Sequence, residues 1–149
     1  MTNLNINQEI ILEGIVYRVI GIDTYKLKNV LGNNKDWLSY TLIDKNKNKT
    51  WVSYGVAGKY FTQWFSLSES EFKNAVTMPP HLELSGIAEV SFQGNPGYST
   101  PFTEIVWFNA SNKNYDFLAI ERFLQQSHSV ITPLESYFLG GKVLKKFQL

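Results

Sequence analysis

The chain has 149 residues, no cysteine, and a formal net charge of +1 from 14 basic and 13 acidic side chains. Such a length fits one domain that buries roughly 68–70% of the surface its unfolded chain exposes. The absence of cysteine excludes disulfides, thiolate nucleophiles and thiolate metal sites, and a charge near zero gives no long-range attraction to nucleic acid or an anionic membrane.

The first fourteen residues, MTNLNINQEIILEG, contain no basic segment followed by an apolar run. Nowhere does the chain carry the run of about 18 apolar residues that a membrane helix needs. We therefore expect a cytoplasmic protein without membrane association. No glycine loop lies between a strand and a helix in the order that cradles phosphate, so no cofactor is predicted.

Strand composition dominates the chain. Aromatic residues make up 15% of it, and they cluster with Val, Ile and Thr in short runs separated by Gly, Asn, Pro and Ser. Several runs are apolar on both faces, which indicates closure into a barrel or burial between layers. We predict a mostly β fold with minor α, barrel-like or sandwich-like. The predicted strands are Ile15–Ile20, Leu38–Asp44, Trp51–Tyr54, Lys59–Phe65, Ile87–Phe92, Thr103–Phe108, Phe117–Phe123 and Lys142–Phe147.

A first short helix is predicted near Glu69–Val76. Ser68 and Glu71 have the spacing of a capping box, in which the Ser hydroxyl and the Glu carboxylate each accept from the other's backbone N–H. Pro79 and Pro80 prevent the helix from continuing. The helix start is therefore better defined than its length.

A second short helix is predicted near Pro133–Leu139. Thr132 precedes a proline at the first helical position, where the missing N–H costs nothing. Gly140 and Gly141 follow, and glycine suits the left-handed residue that ends many helices. The chain would then carry one helix near the end of each half.

Two stretches of the chain share a pattern about 65 residues apart. YTLIDKNKNKTWVSY at 40–54 and VWFNASNKNYDFLAI at 106–120 both set a polar Asn/Lys string between apolar runs. Upstream of these stretches, Gly21 in the first half corresponds to Gly94 in the second. We predict an internal duplication, with a first half at about 12–78 and a second at about 82–149, sharing one core in a single domain spanning 1–149.

The polar string of the first copy is predicted to be a hairpin loop. It carries three lysines, Lys45, Lys47 and Lys49. The second string has only Lys113, whereas both strings begin with a turn-forming residue, Asp44 or Asn109, whose side chain can accept from the backbone. The alternative is contact with phosphate or nucleic acid.

With both halves identified, the chain resembles a bacterial family known as domain of unknown function 4178. The resemblance extends from about Gly14 to Leu144 and implies no activity, because none is assigned to the family. It rests on Leu42-Ile43-Asp44, Trp51-Val52, Gly86-Ile87-Ala88-Glu89-Val90, Gly94, Pro96, Ile120-Glu121 and Glu135-Ser136-Tyr137-Phe138-Leu139-Gly140.

Glu104 and Glu121 form the strongest candidate for chemistry. If Phe108 pairs with Phe117, the two glutamates face each other and need a cation, an arginine or a shared proton. Such a pair could act in acid–base catalysis or bind a hard metal. A register one residue away sets Glu104 opposite Arg122 as an ordinary salt bridge, and a register copied from the first hairpin opposes no charges. The sequence does not select among them.

The two histidines are predicted to be surface residues. His81 follows a proline pair in what looks like a linker between the halves, and His128 lies in a polar string. Neither has the spacing to a second histidine that zinc sites show. No metal site is predicted.

Aromatic residues concentrate in the first half, where they form either the core or a binding groove. Loops at Gly32–Lys35 and Gly94–Gly97 could rim such a groove. The predicted ligand-binding residues are Trp37, Trp51, Tyr60, Trp64, Glu104 and Glu121.

The leading hypothesis is a non-catalytic binding or interaction module whose partner is a protein or a small molecule of unknown identity. It predicts an exposed apolar patch near Trp37 and Trp64. The alternative is a small hydrolase or metal-dependent enzyme built on Glu104 and Glu121. Binding of single-stranded nucleic acid ranks lower, because the net charge is nearly zero. The sequence indicates no oligomeric state.

Overall fold

The computed structural model describes residues 4–57, 60–76, 81–94, 102–110, 114–127 and 130–144. Within them the chain forms nine strands and one helix. In chain order the elements are β1 Glu9–Leu12, β2 Ile15–Asn29, β3 Lys35–Ile43, β4 Lys49–Ala57, β5 Tyr60–Leu67, α1 Glu69–Ala75, β6 His81–Gly94, β7 Phe102–Asn109, β8 Phe117–Ser127 and β9 Val130–Leu144.

Strands β2 to β9 form a closed antiparallel barrel. The strand order is β2-β3-β4-β5-β9-β8-β7-β6, and pairing of β6 with β2 closes the ring. Strand β1 is an addition that pairs only with the start of β2. The prediction of a mostly β, barrel-like fold is confirmed, although the sequence did not predict β1. In the described part of the chain, no helix has the length and apolar character to cross a membrane.

Two seams join the strands that are not consecutive in the chain. Strands β2 to β5 run up and down in order, as do β6 to β9, and the pairs β5–β9 and β2–β6 connect these two sets. In the β2–β6 seam Gly21 lies directly opposite Gly94, and Asn29 lies opposite Gly86. A Cβ added to Gly86 would collide with the backbone carbonyl oxygen of Lys28. The seam therefore requires glycine at position 86.

Three apolar clusters hold the barrel together. One fills the interior and includes Tyr25, Trp37, Trp64 and Trp107. The other two lie on the outside, because strands that are apolar on both faces need cover on both. Leu4, Ile10 and Leu12 of the N-terminal segment cover the outer face of β2 to β5. Phe72 of α1 covers the outer face of β7 to β9, where it contacts Phe108 and Phe138.

Helix α1 confirms the first helix prediction. Glu71 N–H donates to the Ser68 hydroxyl at 3.0 Å, and Ser68 N–H donates to the Glu71 carboxylate at 3.0 Å, which completes the capping box. Phe72 is the buried residue of the helix. The cap fixes where the helix starts, and apolar packing of Phe72, with the partly buried Ala75 and Val76, holds the helix against the barrel.

The second predicted helix is wrong, because Pro133–Leu139 lies inside strand β9. β9 pairs with β8 on one side and β5 on the other, so a helix there would open the barrel. Pro133 lies opposite Leu124, next to an irregularity in the β8–β9 register, where a residue without an N–H is tolerated. Tertiary pairing thus overrides the local helix signals.

The Lys/Asn string is a hairpin loop between β3 and β4, as predicted. The Asp44 carboxylate accepts from the backbone N–H of Asn46 and of Asn48, both at 2.8 Å. Lys47 adopts a φ of 65°, in the left-handed region. Asp44 therefore organises the turn. The similar Asn/Lys string at 109–116 lies partly outside the described residues.

His81 does not lie in a linker. It is the first residue of β6 and pairs with Asn109 of β7. Its side chain is exposed and lies 3.3 Å from Glu83, so the prediction of a surface histidine is confirmed while its location in a linker is wrong. His128 falls outside the described residues.

Candidate functional site

The barrel encloses a cavity of about 210 Å³. All four tryptophans of the chain line it. An engineered apolar cavity of about 150 Å³ is large enough to bind benzene, so this one has room for a small organic molecule. The tryptophans are Trp37, Trp51, Trp64 and Trp107.

The aromatic wall of the cavity is a continuous row of rings in contact. Tyr25 lies parallel to Trp37 with ring centroids 4.8 Å apart, and Trp37 contacts Trp107 at 4.9 Å. Trp64 contacts Trp107 at 6.0 Å. The Trp64 indole N–H donates to the Ser53 hydroxyl at 2.7 Å, which fixes that ring and satisfies its buried donor. Trp37, Trp64 and Trp107 therefore pack against one another inside the barrel.

A row of polar side chains crosses the cavity on neighbouring strands. Asp23 of β2 pairs with Ser39 of β3, which pairs with Ser53 of β4, and all three line the cavity. Asp23 is only 3% exposed, and its Oδ1 has no hydrogen-bond partner. Burial raises the pKa of Asp23 to about 6. A buried carboxylate oxygen without a partner is costly, and such groups commonly mark a functional site.

Glu121 brings a second carboxylate into the cavity from β8. Burial, and secondarily the negative charge of Asp23, raise the pKa of Glu121 to about 7. Among the described residues that line the cavity, none is Lys, Arg or His. The other titratable groups there are the phenols of Tyr25 and Tyr137. Two acids thus share an aromatic interior with no counter-ion.

The cavity opens to solvent on one side. Trp51 and Tyr137 both line it and are 37% and 41% exposed. Ser66 lines it as well and is exposed. These residues belong to β4, β9 and β5, which are neighbours in the barrel. They define the mouth through which a ligand would pass.

The opposite end of the interior is filled by side chains. Leu27, Val56 and Leu84 are buried there in the interior cluster. Lys35 donates from its Nζ to the Val56 carbonyl at 2.8 Å and lies 5.9 Å from the Trp107 ring centroid. Burial lowers the pKa of Lys35, while the charge of Glu83 opposes this. Lys35 is therefore engaged at the closed end and does not itself line the cavity.

Of the registers that the sequence left open, the one that pairs Glu104 with Glu121 does not form. The observed β7–β8 register places Glu104 opposite Arg122 and Glu121 opposite Ile105. Arg122 and Glu104 form the salt bridge of the alternative register, at 3.5 Å. Because successive strand residues face opposite sides, Glu104 lies on the outer face and Glu121 on the inner face. The two glutamates cannot form one acid–base or metal site.

Four of the six predicted site residues line the cavity, namely Trp37, Trp51, Trp64 and Glu121. Tyr60 and Glu104 do not; Tyr60 is 47% exposed. The Gly32 loop joins β2 to β3 at the closed end, and Asn95–Gly97 lie outside the described residues.

Sequence reasoning missed Asp23 and Trp107. The signal for Asp23 was present, because it alternates with Tyr25 and Leu27, two residues that point inward. The strand predicted there ended at Ile20, so the alternation was not followed far enough along the chain.

An apolar surface patch was expected near Trp37 and Trp64, but neither of these side chains is itself at the surface. Trp37 and Trp64 are 5% and 8% exposed, so neither can anchor a surface patch. Their rings are accessible only from the cavity. This counts against a protein-docking surface at these tryptophans and moves the candidate site into the barrel.

No metal centre is evident in the described ranges, where no three His, Asp or Glu side chains are grouped closely enough to hold an ion. Together, the fold and the site define an eight-stranded antiparallel barrel with an acidic, tryptophan-lined internal cavity. No family model, curated protein or solved structure matches the chain. The resemblance to domain of unknown function 4178 therefore stays a prediction.

Proposed function

We propose that the protein is a non-catalytic binding module that holds a small, largely apolar ligand inside the barrel. The observation that carries this proposal is the placement of all four tryptophans around one open cavity of about 210 Å³. Small-molecule sites are typically concave and apolar, with a few polar groups that orient the ligand. The tryptophan wall with Asp23, Glu121 and the serines fits that description.

The packing of the aromatic wall supports binding. Trp64 is fixed by its hydrogen bond to Ser53, and Trp37 is held between the rings of Tyr25 and Trp107. Binding to a preformed site loses little free energy to the ordering of side chains. A Cβ added to Gly141 would lie 2.7 Å from the Trp64 ring, so glycine there leaves room for that indole.

Tryptophan fluorescence tests this function directly, since every tryptophan lines the cavity. We expect 2-phenylethanol and toluene to change the emission saturably. Ser66→Phe, at the mouth, should abolish the change by blocking entry. Ser91→Phe is the matched control, because Ser91 is exposed on β6 outside the cavity. Absence of saturable binding by every probe, or equal binding to both variants, would overturn the proposal.

We infer in addition that the two sets of strands arose by duplication. What supports this is that like strands pair at both seams, β2 with β6 and β5 with β9. At the centre of the β2–β6 seam, Tyr25 faces Val90, 65 residues further along the chain, which is about the repeat length read from the sequence. At that spacing the position equivalent to Asp23 is Ala88. Asp23 would then have no acidic counterpart in the second half.

A further inference from the structure

We propose that the cavity selects a small aromatic amine, bound as its ammonium ion with the nitrogen beside Asp23 and Glu121 and the ring against the tryptophan wall. This inference rests on the proposed function and names its ligand class. It starts from Asp23, whose side chain is 3% exposed, lines the cavity, and leaves Oδ1 without a partner.

An ammonium group supplies what the site lacks. Asp23 and Glu121 accept hydrogen bonds when ionised, and the described lining offers no Lys, Arg or His to donate to them. Removing a carboxylate from water without a partner is costly, whereas a charge-assisted hydrogen bond offsets that cost. A ligand cation is therefore the group that completes the polar row.

The aromatic wall favours an organic cation over a metal ion. Ca²⁺ binds about six to eight oxygen ligands, and Mg²⁺ demands a near-octahedral shell. Two carboxylates and the serine hydroxyls of the lining do not provide such a cage, and no cluster of three acidic or histidine side chains occurs in the described residues. Tryptophan faces attract cations by their ring quadrupole. Lys35 already places its Nζ 5.9 Å from the Trp107 ring centroid, on this same wall.

The groups around the two carboxylates leave the charge balance negative. From β2 and β9 come the phenols of Tyr25 and Tyr137, and from β3 and β4 come Ser39 and Ser53. Arg122 lies next to Glu121 in the chain but is paired with Glu104 on the outer face. Lys35 donates to the Val56 carbonyl at the closed end. None of these neutralises Asp23 or Glu121 directly.

Three probes of similar shape test the proposal on the intact protein: phenethylamine, 2-phenylethanol and phenylacetate, which differ in charge at one end. At pH 8 we expect phenethylamine to bind at least about tenfold more tightly than the alcohol, because its ammonium group donates charge-assisted hydrogen bonds to the two carboxylates. Phenylacetate should bind more weakly than either, because it brings like charge to the carboxylates. Calorimetry and tryptophan fluorescence supply the dissociation constants.

Variants then assign the preference to the carboxylates. Asp23→Asn and Glu121→Gln should reduce the preference for the amine, measured as the ratio of the dissociation constants of 2-phenylethanol and phenethylamine. Glu104→Gln, on the outer face, should leave that ratio unchanged. Amine and alcohol of equal affinity, or a preference that survives in the Asp23→Asn/Glu121→Gln double variant, would overturn the ligand class and leave the proposed function standing. Failure of all neutral and charged probes would overturn both. The comparison of probes on the unmodified protein does not depend on any variant folding.

Discussion

Asp23 and Glu121 face one cavity from β2 and β8, and the negative charge of Asp23 adds to burial in raising the pKa of Glu121. Two acids in an aromatic interior destabilise the empty barrel whenever both are ionised. Binding sites commonly retain such a cost when a ligand offsets it. This relationship links the stability of the fold to the function proposed for it.

The first prediction concerns stability against pH. The pKa of Asp23 is about 6 in the folded barrel, against an ordinary value of 3.8, so the folded state binds more protons between these values. The free energy of unfolding is therefore highest below about pH 4, where Asp23 is protonated in both states. As pH rises through about 6, ionisation of Asp23 lowers it by ~3 kcal/mol. Glu121, with a pKa of about 7, extends the loss to higher pH.

Asp23→Asn removes the part of the pH dependence of stability that comes from Asp23. Its free energy of unfolding, measured in urea without ligand, should match the unmodified protein near pH 4 and exceed it by ~3 kcal/mol at pH 8. Glu104→Gln serves as the control, since that side chain lies in an outer-face salt bridge worth at most about 1 kcal/mol. A difference between Asp23→Asn and the unmodified protein that does not grow with pH would count against a buried, ionising Asp23.

The second prediction concerns the hydrogen bond that fixes Trp64. Ser53→Ala leaves a buried indole N–H without its acceptor, which should cost about 1–3 kcal/mol of unfolding free energy. The Ser53→Ala substitution should also broaden the tryptophan emission spectrum, because the Trp64 ring loses the hydrogen bond that fixes it. Ser66→Ala is the comparison, since Ser66 is an exposed residue of the mouth. Equal stability of the two variants would show that the bond contributes little.

The third prediction concerns the seam between β2 and β6. Gly86→Ala places a methyl group against the Lys28 carbonyl oxygen, a backbone atom that cannot move without separating the strands. We expect a loss of ~3 kcal/mol or more, or failure to fold. Ser85→Ala, one residue earlier, keeps its backbone contacts and should be nearly neutral. Thermal unfolding of Gly86→Ala and Ser85→Ala measures the difference. Similar melting temperatures of the two variants would argue against closure of the barrel at this seam.

The fourth prediction concerns the cap of α1. Ser68→Ala removes the acceptor of the Glu71 N–H and should lower the unfolding free energy by about 1 kcal/mol. Ser70→Ala, at an exposed position in the same first turn, should change it far less. Chemical denaturation resolves a difference of this size. Indistinguishable variants would mean that the cap contributes little and that apolar packing holds the helix.

Local signals in the sequence were sufficient where the structure depends on neighbouring residues. The Ser68–Glu71 capping box predicted the start of α1 correctly, and Asp44 predicted the β3–β4 turn, because both rely on hydrogen bonds within a few residues. The eight barrel strands were each found in part for the same reason, from their β-branched and aromatic composition.

Features set by distant residues were not predictable in this way. The register that turns Glu121 inward and Glu104 outward depends on pairing of whole strands, and a shift of one residue reverses every side chain. Pro133–Leu139 has the end signals of a helix, yet pairing with β8 and β5 makes it a strand. Of the site, Trp37, Trp51 and Trp64 were found by composition, whereas Asp23 required knowing that β2 continues past Ile20.

The most direct test of the account is a ¹³C NMR titration of the side-chain carboxyl carbons, with Asp23 and Glu121 assigned from the Asp23→Asn and Glu121→Gln variants. Without ligand, we expect the two groups to titrate near pH 6 and pH 7. Saturating phenethylamine should shift both midpoints to lower pH, because the ammonium ion stabilises the ionised forms. If both carboxyls titrate in the ordinary range near pH 4 and do not respond to the amine, the claim that Asp23 and Glu121 form a buried ammonium site is contradicted.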